Sequence, residues 1–230
     1  MRDRSYVEQL IKNGKHFCMV PWVHLHVTGL GNMSPCMCLE GGPDAEGYGN
    51  LNENSFSDLW QGEKIRQFRL RLLQGKGSSN CQKCYQREKI GYWSQRKETN
   101  KKYGHHIDWV LNTDEEGFAA DAKPIYWDIR FSNLCNLKCR MCTYSSSSAW
   151  VEDAKKLGLL RYDLSDGIIR GIKDVDQLLF ELDKYIPFLE KIHFAGGEPL
   201  LLKENYYILE RLSYYKNFDV EIKYNTNLTT

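Results

Sequence analysis

No run of the 230 residues approaches the ~18 consecutive apolar side chains of a membrane span, and the first twenty, MRDRSYVEQLIKNGKHFCMV, lack the continuous apolar core of a secretory signal. The sequence therefore reads as cytoplasmic, with no membrane partner. Net charge is nearly absent too. Against 31 Lys and Arg stand 30 Asp and Glu, a formal +1, so no global field draws the chain toward nucleic acid. The basic run RKETNKK at 96–102 has no interleaved aromatic residues, and nucleic acid is not expected as a partner. There is no internal repeat, and low complexity is confined to the serines at 145–148. What is present is cysteine: eight residues, at 18, 36, 38, 81, 84, 135, 139 and 142. In a reducing compartment such clusters point to metal ligation rather than disulfides, and a chain of this length can bury a core without covalent staples.

The cysteines fall into an N-terminal five and a central three, separated by a polar stretch at 95–106 and the acidic DEE at 114–116, which together suggest a connector. Before it, Val23, Leu25 and Val27 alternate as in a strand, GGPDAEGYGN is turn-rich, and residues 55–75 read as one helix capped by Ser55 or Ser57 and ended by Gly75. After it, strand-like IYWDIRF (125–131), KIHFAGG (191–197) and VEIKYN (220–225) alternate with helix-like SSAWVEDAKKLG, VDQLLFELDKYI and ENYYILERLSYY. That order predicts an α/β fold with a parallel sheet or barrel. Three parallel strands would leave a raw edge, so the expectation is the first part of a longer barrel. The divisions expected are 1–104, a small irregular α+β iron–sulfur domain; 105–123, a connector; and 124–230, three βα units of a core.

SNLCNLKCRMCTYSSSS (132–148) carries Cys135, Cys139 and Cys142 on a loop leaving a strand. Three thiolates so spaced can grip three corners of a cubane iron–sulfur cluster, leaving one iron open; tetrahedral zinc with a water is the alternative. FAGGEPLL (194–201) ends the next strand, on the carboxyl edge where parallel α/β folds bind ligands. Gly196 and Gly197 would let backbone carbonyls approach a ligand there, and Glu198 supplies a carboxylate that can accept from an amino group.

CxxxCxxC at Cys135, Cys139 and Cys142, followed by Gly196-Gly197-Glu198-Pro199 and by Tyr224-Asn225-Thr226-Asn227, resembles the radical S-adenosylmethionine (radical SAM) superfamily. The resemblance implies the start of a partial (β/α) barrel. It also implies a [4Fe–4S] cluster whose open iron is chelated by S-adenosylmethionine, with Gly196, Gly197 and Glu198 at the amino group and Thr226 and Asn227 near the ribose or methionine. Where the family usually has an aromatic residue before the third cysteine, this sequence has Met141, with Tyr144 two positions after that cysteine; either could pack the adenine.

The N-terminal cysteines resemble the twitch module, a shortened SPASM domain, in which cysteines hold an auxiliary [4Fe–4S] cluster. Twelve residues separate Cys18 from Gly31 and four separate Gly31 from Cys36, while Cys81 and Cys84 form a CxxC. The module usually follows the barrel and here precedes it. A hairpin bearing Cys18 and Cys36 and a corner bearing Cys81 and Cys84 can converge on one centre, for which a structural zinc site is the rival. Cys38 is left over as a spare thiol. His24 and His26 share a strand face and read as packing or surface, His105 and His106 as solvated, and serines 145–148 as caps of the next helix.

The resulting expectation is a radical SAM enzyme that reductively cleaves S-adenosylmethionine to a 5′-deoxyadenosyl radical, which abstracts hydrogen from a peptide or protein side chain or, as second choice, a small sugar-like alcohol. A flavodoxin or ferredoxin is the expected reductant. A noncatalytic iron–sulfur or zinc protein is the alternative. No catalytic side chain is assignable from the sequence.

Overall fold

The fold was obtained as a computed structural model that describes residues 2–39, 47–161, 164 and 166–229. Six strands form one sheet in the order β3-β2-β1-β4-β5-β6: β1 His24–Val27, β2 Asn32–Ser34, β3 Gly49–Asn50, β4 Tyr126–Ile129, β5 Lys191–Phe194 and β6 Glu221–Tyr224. The first three are antiparallel neighbours, and β1, β4, β5 and β6 run parallel. This is a mixed α/β sheet, and it crosses the divisions expected from the sequence. Strand β1, from the cysteine-bearing N-terminal segment, pairs with β4 over His24↔Tyr126 through Val27↔Ile129. The N-terminal segment is thus continuous with the parallel sheet rather than a free-standing unit.

The helices are α1 Arg4–Asn13, α2 Val20–Val23, α3 Phe56–Trp60, α4 Glu63–Leu73, α5 Gln82–Lys89, α6 Gln95–Tyr103, α7 Ile107–Leu111, α8 Val151–Lys156, α9 Val175–Asp183 and α10 Lys203–Tyr214. The single helix expected over 55–75 is two, because the chain turns at Gly62, where a Cβ would lie 2.6 Å from the Asp58 carbonyl oxygen. Ser55 does cap α3, accepting from Asp58 N, and Gly75 (φ 69°) follows α4. The apolar run expected to start the first strand splits, with Val20–Val23 helical and the strand beginning only at His24. Six of the turn-rich residues, 41–46, lie outside the described residues.

The expected connector is structured as well. Helix α6 buries Arg96, Thr99, Asn100 and Tyr103. Its polar side chains hold main-chain groups of the segment around Cys18. Arg96 donates to the carbonyls of Gly14 (2.7 Å) and Phe17 (2.8 Å), and Asn100 accepts from Met19 N (2.9 Å) and donates to Phe17 O (3.0 Å). A buried main-chain polar group without a partner is costly, so these bonds explain why a helix with no apolar stripe is buried.

Alternation divides the parallel sheet into unlike faces. Leu25, Val27, Trp127, Ile129, Ile192 and Phe194 join one core with Leu178, Leu179 and Leu182 of α9 and Ile208 and Leu212 of α10. The opposite face is polar. One cross-strand row is His24, Tyr126, Lys191 and Glu221; the next is His26, Asp128, His193 and Lys223. No described helix is long and apolar enough to cross a membrane.

Candidate active site

Three loops meet at the carboxyl ends of β4, β5 and β6. The first, 130–147, carries Cys135, Cys139 and Cys142. Its turn is closed by Cys142 N donating to Cys139 O (2.9 Å). The serines expected as helix caps brace this loop instead. Ser148 Oγ accepts from Cys135 N (3.1 Å) and donates to Cys135 O (3.2 Å), and Ser147 Oγ donates to Leu137 O (2.7 Å). Trp150 Nε1 adds a bond to Cys139 O (3.1 Å).

The second loop is Gly196-Gly197-Glu198. Its glycines do more than admit a ligand. A Cβ on Gly197 would sit 2.0 Å from Leu134 O, and one on Gly196, whose φ is +126°, 2.9 Å from Ser132 O. The missing side chains therefore let this loop lie against the backbone of the cysteine loop, joined to it by Gly197 N to Ser132 O (2.9 Å) and Glu198 N to Leu134 O (2.7 Å).

Glu198 is buried at 1% exposure and ties in the third loop. Its Oε1 accepts from Leu200 N (3.1 Å) and Thr226 Oγ1 (2.6 Å), and its Oε2 from Asn227 N (2.8 Å). Asn227 in turn donates from Nδ2 to Asn136 Oδ1 (2.9 Å) and reaches Cys135 Sγ at 3.8 Å. The residues singled out around the three-cysteine motif thus form one connected unit, with the thiols and the carboxylate on the same edge of the sheet. Met141 and Tyr144 part company: Met141 is 98% exposed, whereas Tyr144 lines a cavity.

The chemistry of these thiols fits a cluster held at three points. Burial raises the Cys142 thiol pKa, and the neighbouring Cys139 and Cys135 raise it further through like-charge repulsion. Three thiolates crowded this way need a cationic centre to ionise together.

The N-terminal cysteines converge as well. Burial pushes Cys18 far up, with Cys81 and Cys84 adding to it. Cys81 is raised to about 11, first by burial and then by Cys84, against a lowering contact from Tyr85. Cys38 is not remote from this group. Its thiol is raised first by a hydrogen bond with Cys36, and the Cys84 thiol is raised first by its bond with Cys38. Five thiols therefore stand where four ligands were expected. Cys18 and Cys84 are buried and the other three part-buried, and thiols raised as Cys18, Cys38, Cys81 and Cys84 are become ligands when a cation displaces their protons.

Both cysteine groups border one cavity of about 710 Å³. Cys142, Arg140, Tyr144 and Gly196 line one side; Cys36, Ser34, Thr28 and His26 line the other, with Arg130 and Ser132 between them. His26, read from sequence as packing or surface, is 4% exposed and reaches this cavity. Its neighbour His24 is also buried and its ring stacks on Tyr126 at 4.0 Å; burial, then the adjacent His26, lowers its pKa to about 4. Alternating polar residues in HLHV, YWDIRF and KIHF were the signal for this wall.

An α/β protein with one three-thiol loop on the carboxyl edge of its parallel strands and a second thiol group across a cavity has the donors of a metal-cluster protein. Comparison with protein families narrows that class. Residues 18–85 match the SPASM iron–sulfur cluster-binding domain, and residues 129–230 match the radical SAM superfamily. The chain therefore carries a SPASM segment ahead of a radical SAM segment, the pair that its cysteine spacings resemble. Its cofactors are accordingly S-adenosylmethionine, a [4Fe–4S] cluster and an auxiliary iron–sulfur cluster, which replaces the zinc alternative. No curated protein and no solved structure matches the chain.

Proposed function

We propose that the protein reductively cleaves S-adenosylmethionine and takes a hydrogen atom from a substrate held in the 710 Å³ cavity, with a peptide or protein side chain as that substrate. One observation carries this reading: Cys142 and Gly196 border the same cavity as Cys36, so a molecule in it would sit between the two cysteine groups. The volume lies in the usual range for a small ligand or an inserted side chain. When bound, the cluster and S-adenosylmethionine supply a 5′-deoxyadenosyl radical able to break an unactivated C–H bond.

The chain's own residues position and shield. Cys135, Cys139 and Cys142 would hold the cluster, on a loop braced by Ser147, Ser148 and Trp150. Gly196 would face the methionine moiety and Tyr144 the adenine, since both line the cavity. Glu198 fixes the loop of Thr226 and Asn227 against the cysteine loop, so that the cosubstrate's surroundings are set before it binds. Cys18, Cys36, Cys81 and Cys84 would hold the auxiliary cluster. Arg130 and Arg140 give the walls positive charge, which favours a substrate or cosubstrate carboxylate. A flavodoxin or ferredoxin would serve as reductant.

Anaerobic reconstitution should give about eight irons per chain, the content of two cubanes. Incubation with dithionite and S-adenosylmethionine should then release 5′-deoxyadenosine. A fully loaded protein that releases none is a noncatalytic iron–sulfur protein, and the proposal fails.

A further inference from the structure

The most unusual buried group outside the cysteine loops is the row His26, Asp128 and His193, one residue from each of β1, β4 and β5. Asp128 is wholly buried, and His26 and His193 are 4% and 3% exposed. Both imidazoles turn Nδ1 to the same carboxylate oxygen: His26 Nδ1 lies 3.4 Å and His193 Nδ1 3.5 Å from Asp128 Oδ2. The other carboxylate oxygen faces Arg130 Nε at 3.5 Å. Burial acts to raise the Asp128 carboxyl, but contacts with His193 and His26 and the charge of Arg130 outweigh it, and the group is held well below the usual carboxylate range.

These contacts are loose. His26 Nδ1, Asp128 Oδ2 and His193 Nε2 are all buried without a hydrogen-bond partner within the protein. A sheet built only for stability would place apolar side chains here, as the opposite face does. The row has an outlet on one side, because His26 lines the cavity while Asp128 and His193 lie behind it. Even without a formed hydrogen bond, a carboxylate 3.4 Å from Nδ1 favours the tautomer with its proton on that nitrogen, which leaves Nε2 as the acceptor.

We propose that His26 is the proton acceptor of this cavity, taking the proton from an O–H or N–H group of the bound substrate, with Asp128 and His193 as positioning residues. In the step, the substrate's O–H or N–H bond breaks, its electron pair stays on oxygen or nitrogen, and the proton bonds to the His26 ring. The imidazolium so formed faces the Asp128 carboxylate, which stays ionised. The substrate class is therefore one with a hydroxyl or amine beside the reacting carbon, a hydroxyl-bearing side chain being the simplest case. This rests on the reading that substrate occupies the cavity. The ionisable groups around His26 are His24 on its own strand, Asp128 and Arg130 on β4, His193 on β5, and Cys36 and Cys142 at the cavity wall.

The test needs no substrate. The reconstituted protein is treated anaerobically with diethyl pyrocarbonate, which acylates neutral imidazole, and each histidine is followed by peptide mass spectrometry from pH 5 to 9. His105, whose side chain is 60% exposed, is the internal control. His26 should react at least tenfold faster than His24 and His193, along a single-proton titration curve. In Asp128→Asn, which removes the facing anion, the midpoint should fall by about 1 pH unit or more. The proposal is overturned if His26 stays unreactive across the range while His105 reacts, or if Asp128→Asn folds and leaves the midpoint in place. The wild-type comparison stands even if that variant does not fold. Labelling of His26 does not depend on 5′-deoxyadenosine release, so failure here is distinct from failure of the radical SAM reading.

Discussion

Substituting Gly197 by alanine separates two accounts of the glycine pair, one in which it admits a ligand and one in which it seats the cysteine loop. The added Cβ would be 2.0 Å from Leu134 O and 2.5 Å from the carbonyl carbons of Asn133 and Leu134. All three are main-chain atoms, which cannot swing aside as a side chain would. Relief requires the two loops to separate by more than an ångström. That breaks the bonds from Gly197 N to Ser132 O and from Glu198 N to Leu134 O. At about 1 kcal/mol each, the two bonds account for about 2 kcal/mol. Overpacking of the remaining contacts adds about 1–3 kcal/mol, for a total near 3–5 kcal/mol. Urea denaturation of the anaerobic protein should show that loss. Because the displaced loop carries Cys135, iron should also fall from about eight to about four atoms per chain, with the auxiliary site retained. A variant that keeps wild-type stability within about 1 kcal/mol and its full iron would refute the reasoning.

Further outcomes follow from other contacts. Cys142→Ser should likewise retain about four irons and release no 5′-deoxyadenosine, measured by iron assay and chromatography. Arg96→Met removes the partner of Glu88, whose side chain is 13% exposed, and strands the Gly14 carbonyl, while Phe17 O keeps its bond from Asn100; it should cost about 3–5 kcal/mol by urea denaturation. Glu221 bonds Lys102 and Lys191, which lower its carboxyl from 4.5 to about 2. A depressed carboxyl stabilises the fold in full above pH 4.5, and that stability drains away as pH falls toward 2. Glu221→Gln should therefore flatten acid unfolding in that window, by a small amount because the side chain is 49% exposed and screened.

The parts of the site legible in the sequence were those written in short spacings. Cys135, Cys139 and Cys142, the glycine pair and the loop after the third strand could each be read locally, and the structure brings them to one edge. Strands at 126–129, 191–194 and 221–224 and the helices between them followed from periodicity. What escaped depended on partners far away in the chain. The pairing of His24 with Tyr126 spans about a hundred residues, and nothing local in HLHV announces it. Helix α6 was read as a connector because its buried residues are polar, matched to distant carbonyls rather than to an apolar stripe. Cys38 looked like a spare because spacing alone cannot place its sulfur beside those of Cys36 and Cys84. The acidic and basic residues inside YWDIRF and KIHF were passed over because only the assembled sheet lines them up in a row.

The pairing of β1 with β4 has a mechanical result. A tethered module could swing to admit a large molecule and then shut over it, but here main-chain hydrogen bonds join β1 of the N-terminal segment to the strand that leads into the three-cysteine loop. Any swing of the N-terminal segment would have to break that strand ladder rather than flex a linker.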